Sequence, residues 1–135
     1  MLSVKSIMIT DVISVKPDTP LYEALTLLTK HKISGMPVVD EEQRVVGLLS
    51  EKDVLRILVD RKLEIKSTVA DYMSKAVISF SEDASAFDIC QFFIRSHVRR
   101  VPIVKDGKLV GIVSRGDLIP LILEAKTKIS NFRYV

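Results

Sequence analysis

Apolar residues recur along this chain at two spacings, which predict helices and strands. Three runs rich in β-branched residues, Val12–Val15, Pro37–Val39 and Arg44–Leu49, predict strands. Between the first two runs, four apolar residues fall at i, i+3, i+4 and i+7, the spacing of a helix with one buried stripe. These residues are Leu21, Ala24, Leu25 and Leu28. With a last helix beginning near Ser50, the first half is predicted to fold as strand, helix, strand, strand, helix.

The second half of the chain has the same order of patterns. Val77–Phe80 predicts a strand, and the helix after it has its apolar stripe at the matching positions. Those positions are Ala86, Ile89, Cys90 and Phe93. Pro102 opens the next strand, and Asp106-Gly107 favours a two-residue hairpin turn, because both positions of such a turn need a positive φ. The last helix is predicted to begin near Ser114.

The two halves are copies of one unit. Shifting the sequence by 65 residues, and by 64 after a gap at Glu42, aligns 53 pairs of residues, of which 12 are identical. One identical pair, Asp18 and Asp83, is predicted to cap the first helix of each copy. A unit of about 55 residues buries only about 60% of its unfolded surface, which makes it marginal alone. We therefore expect an α/β (α+β) fold in which two pseudo-twofold-related βαββα units pack through their sheets.

The domain boundaries follow from this duplication. The first unit is expected to cover residues 1–60 and the second residues 69–125. Residues 61–68 are rich in charge and are expected to form the linker, and residues 126–135 a C-terminal tail.

Composition and charge narrow the range of functions. A mean hydropathy of +0.26 excludes a disordered chain. The longest stretch without Asp, Glu, Lys or Arg is seven residues, Ile33 to Val39, which excludes a membrane span of about 20 residues. The single cysteine, Cys90, excludes an internal disulfide and predicts a cytoplasmic location. A net charge of +3 allows an anionic ligand without requiring one.

Three segments give the chain a family resemblance: ITDVISVKPDTPLYEAL, ISGMPVVDEEQRVVGLLSEKDV and HVRRVPIVKDGKLVGIVSRGDL. The chain resembles a stand-alone tandem pair of CBS (cystathionine-β-synthase-type) domains. The resemblance implies a regulatory sensor that binds AMP, ADP, ATP or S-adenosylmethionine in clefts between the two halves. It implies no chemistry on the ligand and no required cofactor. It also implies a homodimer, a disc of four CBS domains, that signals through an effector protein or through the dimer itself.

Each copy contains the pattern Gly-x-x-Ser-x-x-Asp, at Gly47–Asp53 and at Gly111–Asp117. The resemblance implies that the Ser and Asp of this pattern bind ribose and phosphate. A carboxylate can accept hydrogen bonds from both ribose hydroxyls, and a Ser hydroxyl beside helix N-terminal N–H groups can meet a phosphate. Ser-x-x-Asp is also the pattern of a capping box, which needs no ligand. The sequence leaves both interpretations open.

The resemblance also implies two sets of cleft residues. The first cleft would combine Val12, Ile13, Ile33, Ser34, Gly35, Arg99, Arg100, Ser114 and Asp117. The second would combine Val77, Ile78, Val98 and Arg99 with Ser50 and Asp53. Because only the first would gain both arginines, we expect it to bind phosphorylated ligands more tightly. Arg115 stands at a helix start, where the dipole disfavours a cation unless an anion is near.

Other classes of function have less support. An enzyme is not expected, because Cys90 lies on a helical core stripe and neither His31 nor His97 has clustered metal ligands. Nucleic-acid binding would rest on three basic residues near the C-terminus without interleaved aromatics, and is not expected. Those residues are Lys126, Lys128 and Arg133. A ligand-free assembly module remains an alternative.

The candidate residues for an interface between copies are apolar positions of the terminal helices. They are Leu55, Leu58, Leu118, Leu121 and Ile122.

Overall fold

The structure, a computed structural model, describes residues 3–60 and 66–133, with side chains through residue 126. Short 3₁₀ turns lie at Val4–Ser6, Val69–Asp71 and Arg115–Leu118. None of the helices within these ranges is both long enough and apolar enough to cross a membrane. In chain order, the helices and strands are α1 (Leu21–His31), β1 (Gly35–Val39), β2 (Val45–Ser50), α2 (Glu51–Asp60), β3 (Phe80–Ser81), α3 (Ala86–Arg95), β4 (Arg100–Lys105), β5 (Lys108–Ser114) and α4 (Ile119–Arg133).

The chain forms two compact units. The first-repeat unit contains Val12–Ile78 and Asp106–Leu109. The second-repeat unit contains Met1–Asp11, Ser79–Lys105 and Val110–Val135. The mixed helix and strand content is that of the expected α/β class.

The core of the first-repeat unit lies between α1, α2 and the β1–β2 pair. β1 and β2 are antiparallel, and all five residues of β1 are buried. α1 buries three residues of the predicted stripe, which confirms the helical spacing. The buried core residues are Val15, Leu21, Ala24, Leu28, Met36, Val38, Leu49, Ile57 and Val69.

The core of the second-repeat unit has nearly the same plan. Its sheet has the order β3-β4-β5, and α3 buries Ala86, Ile89 and Phe93. The buried core residues are Val4, Ala86, Ile89, Phe93, Val101, Ile103, Val113, Leu118 and Leu121. Eight of these nine correspond in the repeat to core residues of the first-repeat unit.

Each core includes a valine from the other repeat. We define the opening segments as residues 3–11 and 68–76, which correspond in the alignment of the two halves. Val4 is fully buried in the core of the second-repeat unit, and Val69 is fully buried in the core of the first-repeat unit. The two repeats have therefore exchanged their opening segments, which the sequence analysis did not foresee.

An ion-pair cluster reinforces one of these exchanges. Glu82 is a buried carboxylate whose Oε1 lies 3.5 Å from Lys5 Nζ and 3.7 Å from Lys105 Nζ. The cluster joins the first opening segment to the end of β4. At the corresponding place in the other unit, the Ala70 N–H donates to the Pro17 carbonyl instead.

The first strand of each repeat is shorter than expected. In the first, Val15 forms an isolated parallel bridge to Val38. In the second, β3 has two residues, and its Phe80 pairs in parallel with Ile103. The β-branched residues predicted the positions of these strands correctly. Each strand is short because it pairs with a neighbouring strand on one side only.

The predicted caps of the first helices are wrong. α1 has Pro20 at its N-cap, and α3 has Ser85, whose hydroxyl accepts a hydrogen bond from the Asp88 N–H. Asp18 and Asp83 therefore lie two residues too early. Ser85 is a stronger cap than an acid outside the first turn, because its short side chain reaches the helix N–H directly.

The hairpin turn between β4 and β5 is confirmed. Asp106 and Gly107 have φ values of 52° and 79°, as a two-residue turn of this kind requires. The turn belongs to the first-repeat unit, where the Leu109 N–H donates to the Gln43 carbonyl at 2.9 Å.

The predicted linker and tail lie partly beyond the described residues. Residues 61–65 of the linker and residues 134–135 of the tail are outside them. α4 continues to Arg133, through most of the segment assigned to the tail.

Two of the five candidate interface residues belong to the core. Leu118 is 4% exposed and Leu121 is 7% exposed, so neither is a surface residue. They lie on the inner side of the last turn and helix, where they face α3 and the sheet core. Leu55, Leu58 and Ile122 are exposed.

Candidate functional site

The serine and aspartate of the first Gly-x-x-Ser-x-x-Asp pattern form a capping box. Ser50 ends β2, and Asp53 lies in the first turn of α2. Asp53 Oδ2 accepts hydrogen bonds from the Ser50 N–H and hydroxyl, each at 3.0 Å. The Ser50 hydroxyl in turn accepts from the Asp53 N–H at 3.3 Å. The box satisfies N–H groups that the helix start would otherwise leave unpaired.

The second pattern forms the same box. Asp117 Oδ2 accepts from the Ser114 N–H at 2.7 Å, and the Ser114 side chain accepts from the N–H of Asp117. The helix it starts begins as the 3₁₀ turn Arg115–Leu118 and continues as α4. Gly116, a weak helix former, lies in this tighter turn. In both repeats the capping interpretation is thus correct, and the aspartate uses its Oδ2 for it.

A third box of this kind occurs away from the pattern. Thr68 and Asp71 start the 3₁₀ turn of the second opening segment, and Asp71 Oδ2 accepts from the Thr68 N–H at 2.8 Å. Because no Gly-x-x precedes it, this box is a structural device that the chain uses independently. Its aspartate can therefore be compared with those of the two patterns, which have the same capping role.

The glycine of each pattern is required by a methionine. A Cβ on Gly47 would lie 2.7 Å from the Sδ of Met73 and 3.0 Å from the Ser74 carbonyl oxygen. A Cβ on Gly111 would lie 2.6 Å from the Sδ of Met8. Each methionine comes from the exchanged opening segment. The signal in the sequence was the pair of identical methionines at corresponding positions, whose role was missed.

Backbone bridges fix these opening segments beside the patterns. Ser74 and Leu48 exchange two hydrogen bonds, of 2.9 and 3.0 Å, two residues before Ser50. Ile9 and Ile112 exchange two bonds of 2.9 Å, two residues before Ser114. In the first-repeat unit, the bridge leads the chain from Ser74 towards Val77 and Ile78, which carry the apolar positions expected in the second cleft.

Arg115 is explained without an anion. Its Nη2 donates to the Ser96 carbonyl at 2.7 Å and its Nε donates to the Val98 carbonyl at 3.2 Å. The guanidinium thus secures the segment between α3 and β4, and the anion that the sequence suggested there is not needed. This segment carries Arg99, whose carbonyl accepts from the Arg115 N–H at 3.1 Å.

The corresponding segment of the first repeat is fixed by the same backbone bond. The Glu51 N–H donates to the Ser34 carbonyl at 2.9 Å, so Ser34 lies beside the start of α2. Ile33 and Ser34 are half-buried, and Gly35 is buried at the start of β1.

The remaining predicted residues differ in exposure. Val12, Ile13, Val77, Val98 and Arg100 are half-buried, whereas Ile78 and Arg99 are exposed. By unit, the predicted residues divide as follows: Val12, Ile13, Ile33, Ser34, Gly35, Ser50, Asp53, Val77 and Ile78 in the first-repeat unit, and Val98, Arg99, Arg100, Ser114 and Asp117 in the second-repeat unit.

Comparison with known proteins identifies the family. The model of the CBS domain matches this sequence twice, at residues 4–60 and 69–124. The chain belongs to the CBS domain family. The two matches correspond to the two copies found by self-alignment, so the recognition as a tandem CBS pair is confirmed.

Similar sequences include proteins much longer than this CBS pair. The chain is 35% identical over 120 residues to the uncharacterised protein MJ1225 of Methanocaldococcus jannaschii, and the match covers 88% of this chain. The matched region is 42% of MJ1225, so the chain spans less than half of that relative.

Similar solved structures contain adenosine compounds. The crystal structure of CBSX2 in complex with AMP is 30% identical to this chain, has a TM-score of 0.83 and covers 93% of this chain and 99% of that one. The CBS domain pair of protein MJ0100, in complex with 5′-methylthioadenosine and S-adenosyl-L-methionine, is 28% identical with a TM-score of 0.80. It covers 93% of this chain and 98% of the other. Both confirm the fold.

Proposed function

We propose that this CBS pair is a regulatory sensor that binds an adenosine-containing ligand such as AMP, ADP or ATP. The observation that carries the proposal is that both Gly-x-x-Ser-x-x-Asp patterns are intact and adopt the same geometry at a helix start. Two related CBS pairs hold AMP or S-adenosylmethionine with 5′-methylthioadenosine, which supports an adenosine ligand here.

The capping boxes are compatible with ligand binding. Each box uses Oδ2 of its aspartate, at Asp53 or Asp117, and we propose that Oδ1 accepts from the ribose hydroxyls. Both side chains are half-buried, so they are oriented by the box yet reachable. An aspartate already held in position loses little side-chain entropy when the ligand binds. The cap and the ligand contact therefore cooperate.

We propose that the two sets of ligand residues bind phosphate unequally. The set around Asp117 includes Arg99 and Arg100, while the corresponding positions of the first repeat are Ser34 and Gly35. Arg115 adds positive charge at the start of the same helix. Guanidinium groups bind phosphate with paired charge-assisted hydrogen bonds, so the Asp117 set is expected to bind AMP more tightly.

Three aspartate variants test this proposal, because the chain contains a cap that lies outside the pattern. Asp117→Ala, Asp53→Ala and Asp71→Ala each remove one capping box and are expected to lower the free energy of unfolding by about 1 kcal/mol. Only the first two are expected to weaken AMP binding in calorimetric titration, Asp117→Ala by tenfold or more and Asp53→Ala by less. Asp71→Ala is the matched control and is expected to retain the AMP affinity of the wild type.

Two results would contradict the proposal. Equal AMP affinity in all three variants would show that the boxes only cap helices. Absence of any thermal shift of the wild type with AMP, ADP, ATP and S-adenosylmethionine would favour the assembly module, because a ligand at about 100 times its Kd adds about 2.7 kcal/mol to stability.

We also propose that the chain is not an enzyme and that it acts in the cytoplasm as a homodimer. Cys90 lies half-buried on the core stripe of α3, which suits packing better than nucleophilic catalysis. The helices of both units expose large apolar side chains, which supports association. We propose that the ligand signal passes to an effector protein through this dimer.

A further inference from the structure

Arg115 holds the backbone of the segment that carries both candidate phosphate-binding arginines. We call residues 96–100, which lead from the end of α3 into β4, the arginine segment. The Arg115 guanidinium donates to the Ser96 carbonyl at 2.7 Å and to the Val98 carbonyl at 3.2 Å. Its backbone N–H donates to the Arg99 carbonyl at 3.1 Å. One residue of the second-repeat unit thus binds the arginine segment of the same unit at three points.

The first repeat holds the corresponding segment, residues 31–35, with backbone bonds to the helix before it. Lys32 follows α1 in the left-handed region, with a φ of 52°, and its N–H donates to the Thr29 carbonyl at 3.3 Å. The Ile33 N–H donates to the Leu28 carbonyl at 3.1 Å. These are the two bonds of a Schellman motif, which ends a helix and fixes the direction of the chain after it. This ending needs no side chain from α2.

The second repeat ends its first helix differently. Ser96 follows α3 with an extended backbone, at φ −118° and ψ 155°, so the chain leaves the helix without the left-handed residue of a Schellman motif. The Val98 N–H donates to the Ser96 hydroxyl at 2.9 Å, and Arg115 supplies the remaining bonds. Glu51 stands at the position of Arg115 in the first repeat, and an ionised carboxylate has no donor for a carbonyl. The arginine segment is therefore held by a side chain where its counterpart is held by backbone.

This difference accompanies a difference in the side chains that the two segments carry. The arginine segment has Arg99 and Arg100 where the first repeat has Ser34 and Gly35. Arg99 is exposed, and among the described residues its guanidinium has no hydrogen-bond or ion-pair partner. A long side chain loses conformational entropy when it binds a phosphate, and a fixed backbone beneath it reduces the total loss. The side-chain clamp thus occurs in the repeat that has a cation to orient.

We propose that Arg115 is a positioning residue, which holds the backbone of Arg99 so that the Arg99 guanidinium can meet the phosphate of a ligand bound at Asp117. This inference rests on the proposed function and adds to it a residue that acts without touching the ligand. The Arg115 donors are directed at two carbonyls and are therefore not the phosphate contact itself. The stretch from Ser114 to Asp117 then orients two ligand groups, Asp117 through the capping box and Arg99 through Arg115.

Calorimetric titration of Arg115 variants with AMP and with adenosine tests this role. Arg115→Met keeps the length of the side chain and removes its donors, and is expected to lower AMP affinity about three- to tenfold, the range that one or two lost hydrogen bonds give. Adenosine has no phosphate for Arg99 to meet, so its affinity is expected to be retained. Arg115→Lys keeps the charge but not the planar fork that reaches both carbonyls, and is expected to lose most of the same AMP affinity.

Two further measurements show whether Arg115 acts through Arg99. In an Arg99→Met background, Arg115→Met is expected to cause no additional loss of AMP affinity, because the group that it positions is already absent. In the ligand-free protein, Arg115→Met is expected to speed amide hydrogen exchange in residues 96–100. Glu51→Met is the matched control at the corresponding position, and it is expected to leave exchange in residues 31–35 unchanged because the Schellman motif holds them.

The opposite results overturn the positioning role in distinguishable ways. Full AMP affinity in Arg115→Lys would show that Arg115 acts by its charge, and additive losses with Arg99→Met would show that it acts independently of Arg99. Equal losses for AMP and adenosine, or unchanged exchange in residues 96–100, would leave Arg115 a purely structural residue. A wild-type protein that binds AMP as tightly as Arg115→Met does would reject this role alone. A wild-type protein that does not bind AMP would reject the proposed function as well.

Discussion

Met8 and Met73 occupy corresponding positions of the two opening segments, and each lies against the glycine of a Gly-x-x-Ser-x-x-Asp pattern. Their sulfur atoms lie 2.6 and 2.7 Å from where a Cβ on Gly111 and on Gly47 would be, so each glycine allows an opening segment to lie against a strand. The backbone bridges Ile9–Ile112 and Ser74–Leu48 need that close approach. The glycines of the Gly-x-x-Ser-x-x-Asp patterns are therefore structural residues.

Alanine at either glycine is expected to destabilise the protein. Gly111→Ala and Gly47→Ala force the methionine and the neighbouring carbonyl to move, at a cost of about 1–3 kcal/mol in the free energy of unfolding. Gly116→Ala is the control, because the nearest atom to its added Cβ, the Ser114 hydroxyl oxygen, lies at 4.0 Å. It is expected to be neutral or to stabilise by up to about 1 kcal/mol, since alanine is a better helix former.

Urea denaturation of the three variants measures these effects. If Gly47→Ala or Gly111→Ala unfolded at the same urea concentration as Gly116→Ala, the close approach of the methionine would not constrain the glycine.

The sequence predicted some local residue roles and missed others: Asp18 and Asp83, expected to cap α1 and α3, lie two residues before the N-caps that the structure shows. The Asp106-Gly107 turn follows from spacing along the chain, and the spacing of Ser-x-x-Asp offered the capping box as one of two interpretations, because these hydrogen bonds join residues three or fewer positions apart. The role of Arg115 did not follow. Its partners, the carbonyls of Ser96 and Val98, lie 17 or more residues away and carry no side-chain signal.

The opening segments are the elements whose position the sequence did not reveal. Val4 and Val69 are identical in the alignment, but the alignment does not show which repeat each of them packs in. A short segment with one buried valine can complete either core equally well on composition. Helices with a four-residue stripe, such as α1 and α3, were predictable because periodicity alone determines their buried side.

Truncating Val4 or Val69 tests whether each opening segment is buried in a core. Val4→Ala and Val69→Ala each remove two methyl groups from a fully buried position and are expected to cost about 1–3 kcal/mol. Ile9→Ala is the control, since Ile9 lies on the same opening segment as Val4 and is exposed. Chemical denaturation measures all three, and a Val4→Ala protein no less stable than Ile9→Ala would contradict burial of that segment.

At the scale of the whole molecule, the structure identifies the apolar helical residues that can serve an interface. Within the described residues, Leu58 is 78% exposed and Ile122 is 60% exposed, while Leu121 is 7% exposed. The sequence grouped these three together because apolar character alone does not separate the two sides of a helix whose outer side is also apolar. The exposed fraction of each side chain separates Leu121, which is buried, from Leu58 and Ile122, which are exposed.

Glutamate substitutions test this division. If the proposed homodimer forms through the helices, Leu58→Glu and Ile122→Glu are expected to give folded monomers by light scattering, with little change in the free energy of unfolding of the isolated chain. Leu121→Glu buries an unpaired carboxylate and is expected to unfold the protein. Lys75→Glu, an exposed change outside the helices, is expected to leave both properties unchanged. Dimers that persist in both Leu58→Glu and Ile122→Glu would contradict the helical interface.

The exchange of opening segments also determines when each half can fold during synthesis. Residues 3–11 leave the ribosome before the rest of the CBS pair, yet the core they complete contains Val113 and Leu121, which emerge about 100 residues later. The other core needs Val69 and the turn residues Asp106–Leu109. Neither half can complete its core before most of the CBS pair has emerged, so a gene fragment encoding one repeat alone would yield a polypeptide that lacks part of its own interior.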